Sequence, residues 1–360
     1  MSQLRVSLNF HNCTHVYYRD SSCSKCVDVC PVKDAIYFDE GKLKIDDEKC
    51  VNCGACFGIC PTEAFSVNGF SPEKLLDHLV KSGETVISCR VNVPCIAALD
   101  SQYLISLVLR SEKDIFLDIS RCDECGISSL KGRIQDIVNE TNYFLESAGV
   151  DRKVLLSRED IQLKRSETKD RRGFLKDFGK ISAGLAFWAL MPEIDHEEKE
   201  EEDFKNIVEE KVLPEKRKIL IKTLKNCGDA LENRVLEVDR ISFCSDKWID
   251  NRLCTNCSVC YNICPTGALK PGRDRLQILF EPSLCVKCKI CHESCPENCL
   301  HLEEKLSFDT FLNGMKILAE HVMIPCEECL VPFSYKGDST VCPRCKQLDD
   351  EIRDLLKIGD

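Results

Sequence analysis

Cys50-Val51-Asn52-Cys53-Gly54-Ala55-Cys56-Phe57-Gly58-Ile59-Cys60-Pro61 sets four thiols at gaps of two, two and three residues and ends them on a proline. The same spacing returns at Cys254, Cys257, Cys260 and Cys264-Pro265, and again at Cys285, Cys288, Cys291 and Cys295-Pro296. A shortened copy stands at Cys23, Cys26 and Cys30-Pro31. The copies fall in two pairs, an internal repeat with one unit toward each end of the chain. The residues downstream repeat too, as Ala35-Ile36, Ala64-Phe65, Ala268-Leu269 and Cys299-Leu300. A small residue there lets the turn approach whatever the thiols hold, so Cys299 is expected to be a small buried residue and not a ligand.

The chain has 27 cysteines in 360 residues, far more than a chain of this length needs as disulfide staples. Their odd number and short regular gaps indicate metal ligands in a reducing compartment. Met1-Ser2-Gln3-Leu4-Arg5 leads into no apolar export segment, so a cytoplasmic protein is expected. With 49 Lys+Arg against 60 Asp+Glu the net charge is -11, which disfavours nucleic acid or an anionic membrane as the main partner. Cysteine inflates the 43% hydrophobic content, so the apolar core is thin and metal bonds must supplement it.

A cubane iron-sulfur cluster needs four thiolates around its iron corners. Gaps of two residues deliver three from one tight loop, while the cysteine before proline comes from elsewhere. Structural zinc instead takes two short pairs from separate turns. On these motifs, residues 13–66 and 254–301 resemble bacterial-type ferredoxins with two [4Fe-4S] clusters, and the whole chain resembles a polyferredoxin. The resemblance implies crossed ligation. One cluster then takes Cys50, Cys53, Cys56 and Cys30. A second takes Cys254, Cys257, Cys260 and Cys295, and a third Cys285, Cys288, Cys291 and Cys264. Cys23, Cys26 and Cys60 are left for the first cluster, whose fourth ligand is ambiguous. The family spacing puts it at position 20, which is Asp20 here, while Cys13 stands ten residues before Cys23. Cys13, Asp20 and a three-iron cluster compete, and Cys13 is preferred because thiolate is the softer ligand.

Cys326, Cys329, Cys342 and Cys345 have zinc-ribbon spacing, with a structural zinc expected and a mononuclear iron as the alternative. Cys342-Pro343-Arg344-Cys345 resembles the second knuckle of rubredoxins, but Lys346 replaces that family's glycine. Between the repeats, Leu75, Leu76, Leu79 and Val80, then Leu99 to Leu109, then Leu130 to Leu145 recur at helical spacing. Thr85–Ser88, Ile115–Leu117 and Val154–Leu156 read as strands. This α-β-α-β-α-β order predicts a small parallel sheet. Cys89, Cys95, Cys122 and Cys125 would gather beyond its strand ends. An iron-sulfur cluster, zinc and unligated thiols all stay open there; the pattern faintly resembles the small iron-sulfur subunit of methyl-viologen-reducing hydrogenases. Cys227 and Cys244 have no short-range partner.

The fold class expected is α+β multidomain. It comprises two ferredoxin-like dicluster modules (1–68 and 241–305), a small parallel α/β domain (69–160), a linker (161–240) and zinc-ribbon-like knuckles (306–360). Arg171-Arg172-Gly173-Phe174-Leu175-Lys176 resembles a twin-arginine export motif, but at its internal position it is not expected to act as a cleaved signal. The apolar Phe178–Met191 is shorter than the ~20 residues that span a bilayer, so no stable membrane insertion is expected. No phosphate loop, dinucleotide turn or His-Glu-x2-His helix is present. The expected function is therefore single-electron transfer by four [4Fe-4S] clusters. The family resemblance implies a partner such as a formate dehydrogenase or hydrogenase. Two alternatives are an enzyme subunit whose α/β domain binds substrate or flavin, and an assembly or interaction scaffold. Each all-thiolate cubane carries roughly -2 when oxidised, so burial and hydrogen bonds to sulfur must set the potentials.

Overall fold

A computed structural model describes residues 5–159 and 210–357. The twin-arginine-like stretch at Arg171-Arg172 and the acidic run His196–Asp203 lie outside the described residues. Among the described residues no helix is long and apolar enough to cross a membrane.

In the amino-terminal unit Arg5–Leu8 pairs antiparallel with Phe65–Asn68, and Ile36–Asp39 pairs with Lys42–Ile45. Each complete cysteine motif runs through a tight loop into a short helix: Ala55–Ile59, Val259–Asn262 and Ile290–Glu293. The loops share one backbone device. Asn52 and Gly54 have φ of 55° and 76°, Asn256 and Ser258 have 59° and 67°, and Lys287 and Lys289 have 50° and 67°. Left-handed residues in such turns direct backbone N–H groups into a concavity suited to anions, iron-sulfur sites among them. Only one of the three copies uses glycine. Gly54 has a second reason to lack a side chain, because a Cβ there would lie 2.9 Å from Ala98 Cβ. At Gly58 a Cβ would lie 2.7 Å from the carbonyl oxygens of Ala97 and Leu99. The motif helix therefore sits directly on the 3-10 turn Ile96–Ala98 of the middle unit.

That middle unit is a three-stranded parallel sheet of Val86–Ile87, Ile115–Asp118 and Val154–Ser157, with Ile115–Asp118 in the centre. Helices Pro72–Ser82, Ser101–Ser111 and Lys131–Ser147 accompany it. Leu79, Leu104, Leu107, Val108, Leu117, Phe144 and Val154 share one buried core. The first of these helices opens on Ser71, whose side chain accepts from Lys74 N–H, and closes on Gly83 at φ 73°.

Two boundaries differ from the sequence expectation. The linker expected over 161–240 contains an ordered helix, Glu215–Lys225, whose Ile219, Leu220 and Leu224 join the core of the middle unit. Its opening Glu215-Lys216-Arg217-Lys218 carries four consecutive charges, yet Lys216 and Arg217 are 2% and 0% exposed. Lys216 Nζ donates to Cys60 O at 2.7 Å, to Gly58 O at 3.3 Å and to Asp100 Oδ2 at 3.3 Å. Arg217 donates to Gln102 Oε1 at 2.8 Å, to Ser283 O at 3.1 Å and to Phe243 O. The Glu63 carboxylate accepts the backbone N–H groups of Glu215 and Lys216, a favourable charge at a helix start.

The second difference concerns residues 306–320, which belong to the body of the molecule and not to the tail. Lys305–Ser307 pairs with Val235–Glu237, Phe308 and Phe311 enter the middle core, and Lys316–Glu320 completes a sheet with Gln277–Phe280 and Leu269–Pro271. The carboxyl-terminal hairpin starts only at Val322–Pro325, paired with Pro332–Tyr335. The two cysteine-rich units also touch each other. Val16, Tyr17 and Ile290 form one apolar cluster against Ile263 and Cys288, and Glu293 accepts from Ser22 N–H at 3.0 Å.

Replacing Lys216 by Met strands the mostly buried Asp100 carboxylate, a change that costs about 3–5 kcal/mol. The expected outcome is a lower thermal midpoint by circular dichroism for Lys216→Met, with part of the loss recovered when Asp100→Asn is added.

Candidate metal centres

Sixteen thiols gather into four groups. Burial, with the neighbouring Cys60 and Cys23 sulfurs, pushes the Cys13 thiol up to about 11. The same causes, now including Cys13, raise Cys26. Asp20 is exposed. The second group joins Cys30, Cys50, Cys53 and Cys56, with Cys53 and Cys56 raised by burial and by the others' charge. Cys260 is raised by burial beside Cys257, Cys254 and Cys295. Cys288 and Cys291 are raised by burial beside Cys264 and Cys285, and these four sulfurs line one cavity. A buried thiol that resists ionisation needs a metal to stabilise its thiolate, so these groups suit iron-sulfur ligation.

The groups are neighbours of one another. Cys56 feels the charge of Cys26, Cys260 feels Cys291, and Tyr17 of the first unit feels Cys264 of the second. Donors also reach the sulfurs. Ala64 N–H donates to Cys60 Sγ at 3.3 Å, and the Thr62 and Thr266 hydroxyls stand 3.6 and 3.8 Å from Cys60 and Cys264. Pro61-Thr62 and Pro265-Thr266 are a repeated sequence signal for this contact that the spacing argument passed over. Cys299 Sγ lies 3.5 Å from Cys295 Sγ and also bonds Cys254, so it is buried, as its small neighbours in the repeat suggest, but beside two ligand candidates. His321 Nε2 stands 3.6 Å from Cys254 Sγ, while its Nδ1 meets Ser334 Oγ at 2.8 Å.

The 4Fe-4S dicluster domain family matches residues 21–64, and 4Fe-4S binding domains match 247–270 and 282–298. The chain is 39% identical over 59 residues to a "Ferredoxin 7Fe" of Hydrogenibacillus schlegelii, covering 16% of this chain and 74% of that protein. The chain belongs to the 4Fe-4S ferredoxin family. A ferredoxin of Alicyclobacillus acidocaldarius is 37% identical over 57 residues, covering 16% of this chain and 72% of the relative. A tetrathionate reductase subunit of Archaeoglobus fulgidus is 50% identical over 36 residues, only 10% of this chain and 17% of the relative. The matched regions make this ferredoxin a multi-module 4Fe-4S protein, and its chemistry is iron-sulfur electron transfer.

At the tail of this ferredoxin, Cys326, Cys329, Cys342 and Cys345 present sulfurs all within 4.8 Å of one another. Cys329 and Cys342 sulfurs are 3.8 Å apart. Four sulfurs at about 2.3 Å from a single ion have a tetrahedral edge of about 3.8 Å, so the group fits one metal. Cys342 N–H donates to Cys326 Sγ at 3.2 Å. Backbone N–H groups of Cys329 and Cys342 lower the Cys326 thiol to about 6.

At the strand ends of the middle unit, Cys95 is pushed up to about 12 by burial, with Cys53, Cys89 and Cys122 close by. Cys122 feels Cys89 and Cys125. The four rim cysteines therefore converge, and they do so next to the second cysteine group. Asp118, which the sequence patterns did not single out, organises the rim. Its carboxylate accepts from Ser88 Oγ at 2.8 Å, Arg90 at 2.6 Å and Ser120 Oγ at 2.6 Å, tying the loop of Cys89 to that of Cys122. Cys227 is half-buried against Thr223, whereas Cys244 is fully buried near Arg217 and Cys285.

Burial works against the Asp118 carboxylate, but the Ser120, Arg90 and Ser88 donors outweigh it and hold its pKa at about 2. A carboxylate depressed from its unfolded value of about 3.9 adds about 2–3 kcal/mol, fully present above pH 4 and lost as pH falls through 2. Asp118→Asn is expected to lower stability to urea at pH 7 by that amount. The gap from the unaltered protein should narrow below pH 4, as followed by circular dichroism.

Proposed function

We propose that the chain is a relay of four [4Fe-4S] clusters held by the four thiol groups, extended by a fifth cluster at the α/β rim, with zinc in the tail. The observation that carries this is the continuity of the sulfur groups. Cys95 of the rim neighbours Cys53, Cys56 neighbours Cys26, Tyr17 and Ile290 bridge the two modules beside Cys288, and Cys291 neighbours Cys260. The clusters would supply one-electron chemistry. The chain's residues keep most sulfurs of the four cubanes out of water and successive groups close, while Cys257 and the rim's Cys89 and Cys125 are exposed. The separation of Cys60 from Cys254 in sequence is no obstacle, because helix Glu215–Lys225 and the Ser22–Glu293 contact bring the modules together. The rim is read as a cluster because it continues the same line of sulfurs.

The partner is read as an oxidoreductase whose catalytic subunit exchanges single electrons. Formate dehydrogenase and hydrogenase come from the family resemblance, and the short likeness to a tetrathionate reductase subunit points to the same class. A net charge of -11, made more negative by clusters, favours a basic docking patch on that partner. Cys13 is read as the fourth ligand of the first cluster, supported by its burial beside Cys23 and Cys60. The seven-iron name of the Hydrogenibacillus relative makes a three-iron centre there the main competing outcome.

A second reading has one observation behind it. A cleft of about 650 Å³ runs between the modules, lined by Arg133, Arg240 and Lys287 as well as by Asp136, Glu140 and Asp239, and reaching Cys23 and Cys288. A flavin or anionic substrate bound there would make the chain an enzyme subunit, and flavin absorbance in the purified protein would favour that reading.

Anaerobic purification with iron, sulfide and zinc counts tests the relay. About sixteen irons are expected from four cubanes, about twenty with the rim, and one zinc; about four irons would overturn it. In Cys13→Ala the first cluster should be lost or leave a three-iron EPR signal when oxidised, while Asp20→Ala leaves the spectrum unchanged. The reverse pattern would assign the ligand to Asp20.

A further inference from the structure

Lys247 begins the strand Lys247–Ile249 and is 1% exposed. A buried ammonium is costly unless other charges or hydrogen bonds compensate it. The adjacent carboxylate does not serve. Asp246 accepts the backbone N–H of Lys247 at 2.7 Å and pairs with Lys316 Nζ at 2.8 Å. Lys247 Nζ instead meets His292 Nε2 at 2.7 Å, and His292 Nδ1 meets Leu300 O at 3.1 Å. Leu300 O can only accept, so Nδ1 carries the imidazole proton and Nε2 receives the ammonium's. The histidine thus holds the lysine without neutralising its charge.

That charge faces sulfur. Lys247 lines the cavity shared by Cys264, Cys285, Cys288 and Cys291, and the same four thiols are the charges that act on it. Among the described residues the other groups lack such a cation. Lys216, beside Cys60 O, is paired with Asp100. Lys336, near Cys254, is exposed and therefore screened by water. Around Cys30, Cys53 and Cys56 the acting charges are other thiols.

We propose that Lys247 is the built-in counter-charge of the centre held by Cys264, Cys285, Cys288 and Cys291, giving that centre the highest reduction potential of the four cubanes. The proposal rests on the four-cluster reading above. Reduction adds one electron to the cluster, and a fixed positive charge in a dry site stabilises the more negative state. This centre adjoins the junction at Tyr17 and Ile290, so an electron arriving from the amino-terminal module settles just across the module boundary. Its next step, to the group containing Cys260, is then uphill.

The test is an EPR-monitored redox titration of the anaerobically purified full chain, with iron counted in every sample. Lys247→Met should lower one couple by at least tenfold in its reduction equilibrium, about 59 mV for one electron. The other couples should stay within threefold, and Lys247→Arg should hold all of them there. His292→Phe places at this position the residue that stands at Phe57 in the first repeat, and it removes the acceptor that holds the ammonium. It should shift the same couple by at least threefold. If Lys247→Met loses iron, His292→Phe decides. A full iron count with every couple within threefold of the unaltered protein in whichever variant decides would overturn the lysine's role and leave the relay standing. An unaltered chain far short of sixteen irons would overturn the relay itself.

Discussion

Lys216 and Arg217 are consecutive residues of one helix, and together they hold three units of the molecule in register. Lys216 donates to carbonyls of the first cysteine motif and to Asp100 of the middle unit, while Arg217 reaches Gln102, Phe243 and Ser283. Loop carbonyls at the edge of a metal motif are poor candidates for secondary-structure pairing, and buried acceptors left unpaired are costly. Two long cationic side chains satisfy several of them at once. The helix that carries them can sit there only because Ile219, Leu220 and Leu224 supply an apolar face on the same short segment. Glu63, at the turn after the first motif, then holds the helix start. The position of each thiol group relative to the next follows from this arrangement.

Desolvation explains why the same regions look unfinished as purely apolar cores. In the amino-terminal unit Val6, Ile36, Leu43, Phe65 and Val67 share their cluster with Cys13, Cys26, Cys56 and Cys60, so thiols take a large part of what would otherwise be a hydrocarbon core. Thiols there are raised by burial, and thiolates would be costlier still without a cation. Metal-sulfur bonds reverse that balance, because binding displaces the protons and fixes loops that have few ladder bonds of their own. The tail knuckle works differently: backbone N–H groups already favour the Cys326 thiolate. A single small ion needs one pre-formed tetrahedron, whereas a cubane needs a dry cage.

Much of this was legible in the sequence, for a chemical reason. Ligand spacing is dictated by the size of the inorganic group, so Cys50 to Pro61 and its copies announce themselves without any neighbour. The helices and strands of the middle unit were legible because Leu75, Leu76 and Leu79 or Ile115 and Leu117 repeat with the period of their element. Lys216, Arg217 and Lys247 were not, since a lysine's burial depends on acceptors that arrive from distant segments. His321 is similar: it matters only because a sheet partner brings it to Cys254 and the hairpin residue Ser334 meets its other nitrogen. Residues 306–320 read as part of a tail because their strand partners, Val235–Glu237 and Gln277–Phe280, lie far back in the chain.

Charge placement gives the two halves different characters despite their matching motifs. The repeat copies the sulfurs, the left-handed loop residues and the threonine after proline, all of which act on a centre through short contacts. Cations lie outside the repeat. Lys247 comes from the strand before Cys254, opposite Leu302, and the matching place in the amino-terminal unit, opposite Val67, is held by the buried and uncharged Val6. The threonine contacts to Cys60 and Cys264 are alike in both modules and shift both in the same sense, whereas His321 beside Cys254 and Cys299 beside Cys295 belong to the second module alone. A single unscreened charge in a low-dielectric wall acts over a longer range and on one centre more than its neighbours. Direction in a chain of near-identical ferredoxin centres therefore has to come from residues that the duplication did not copy.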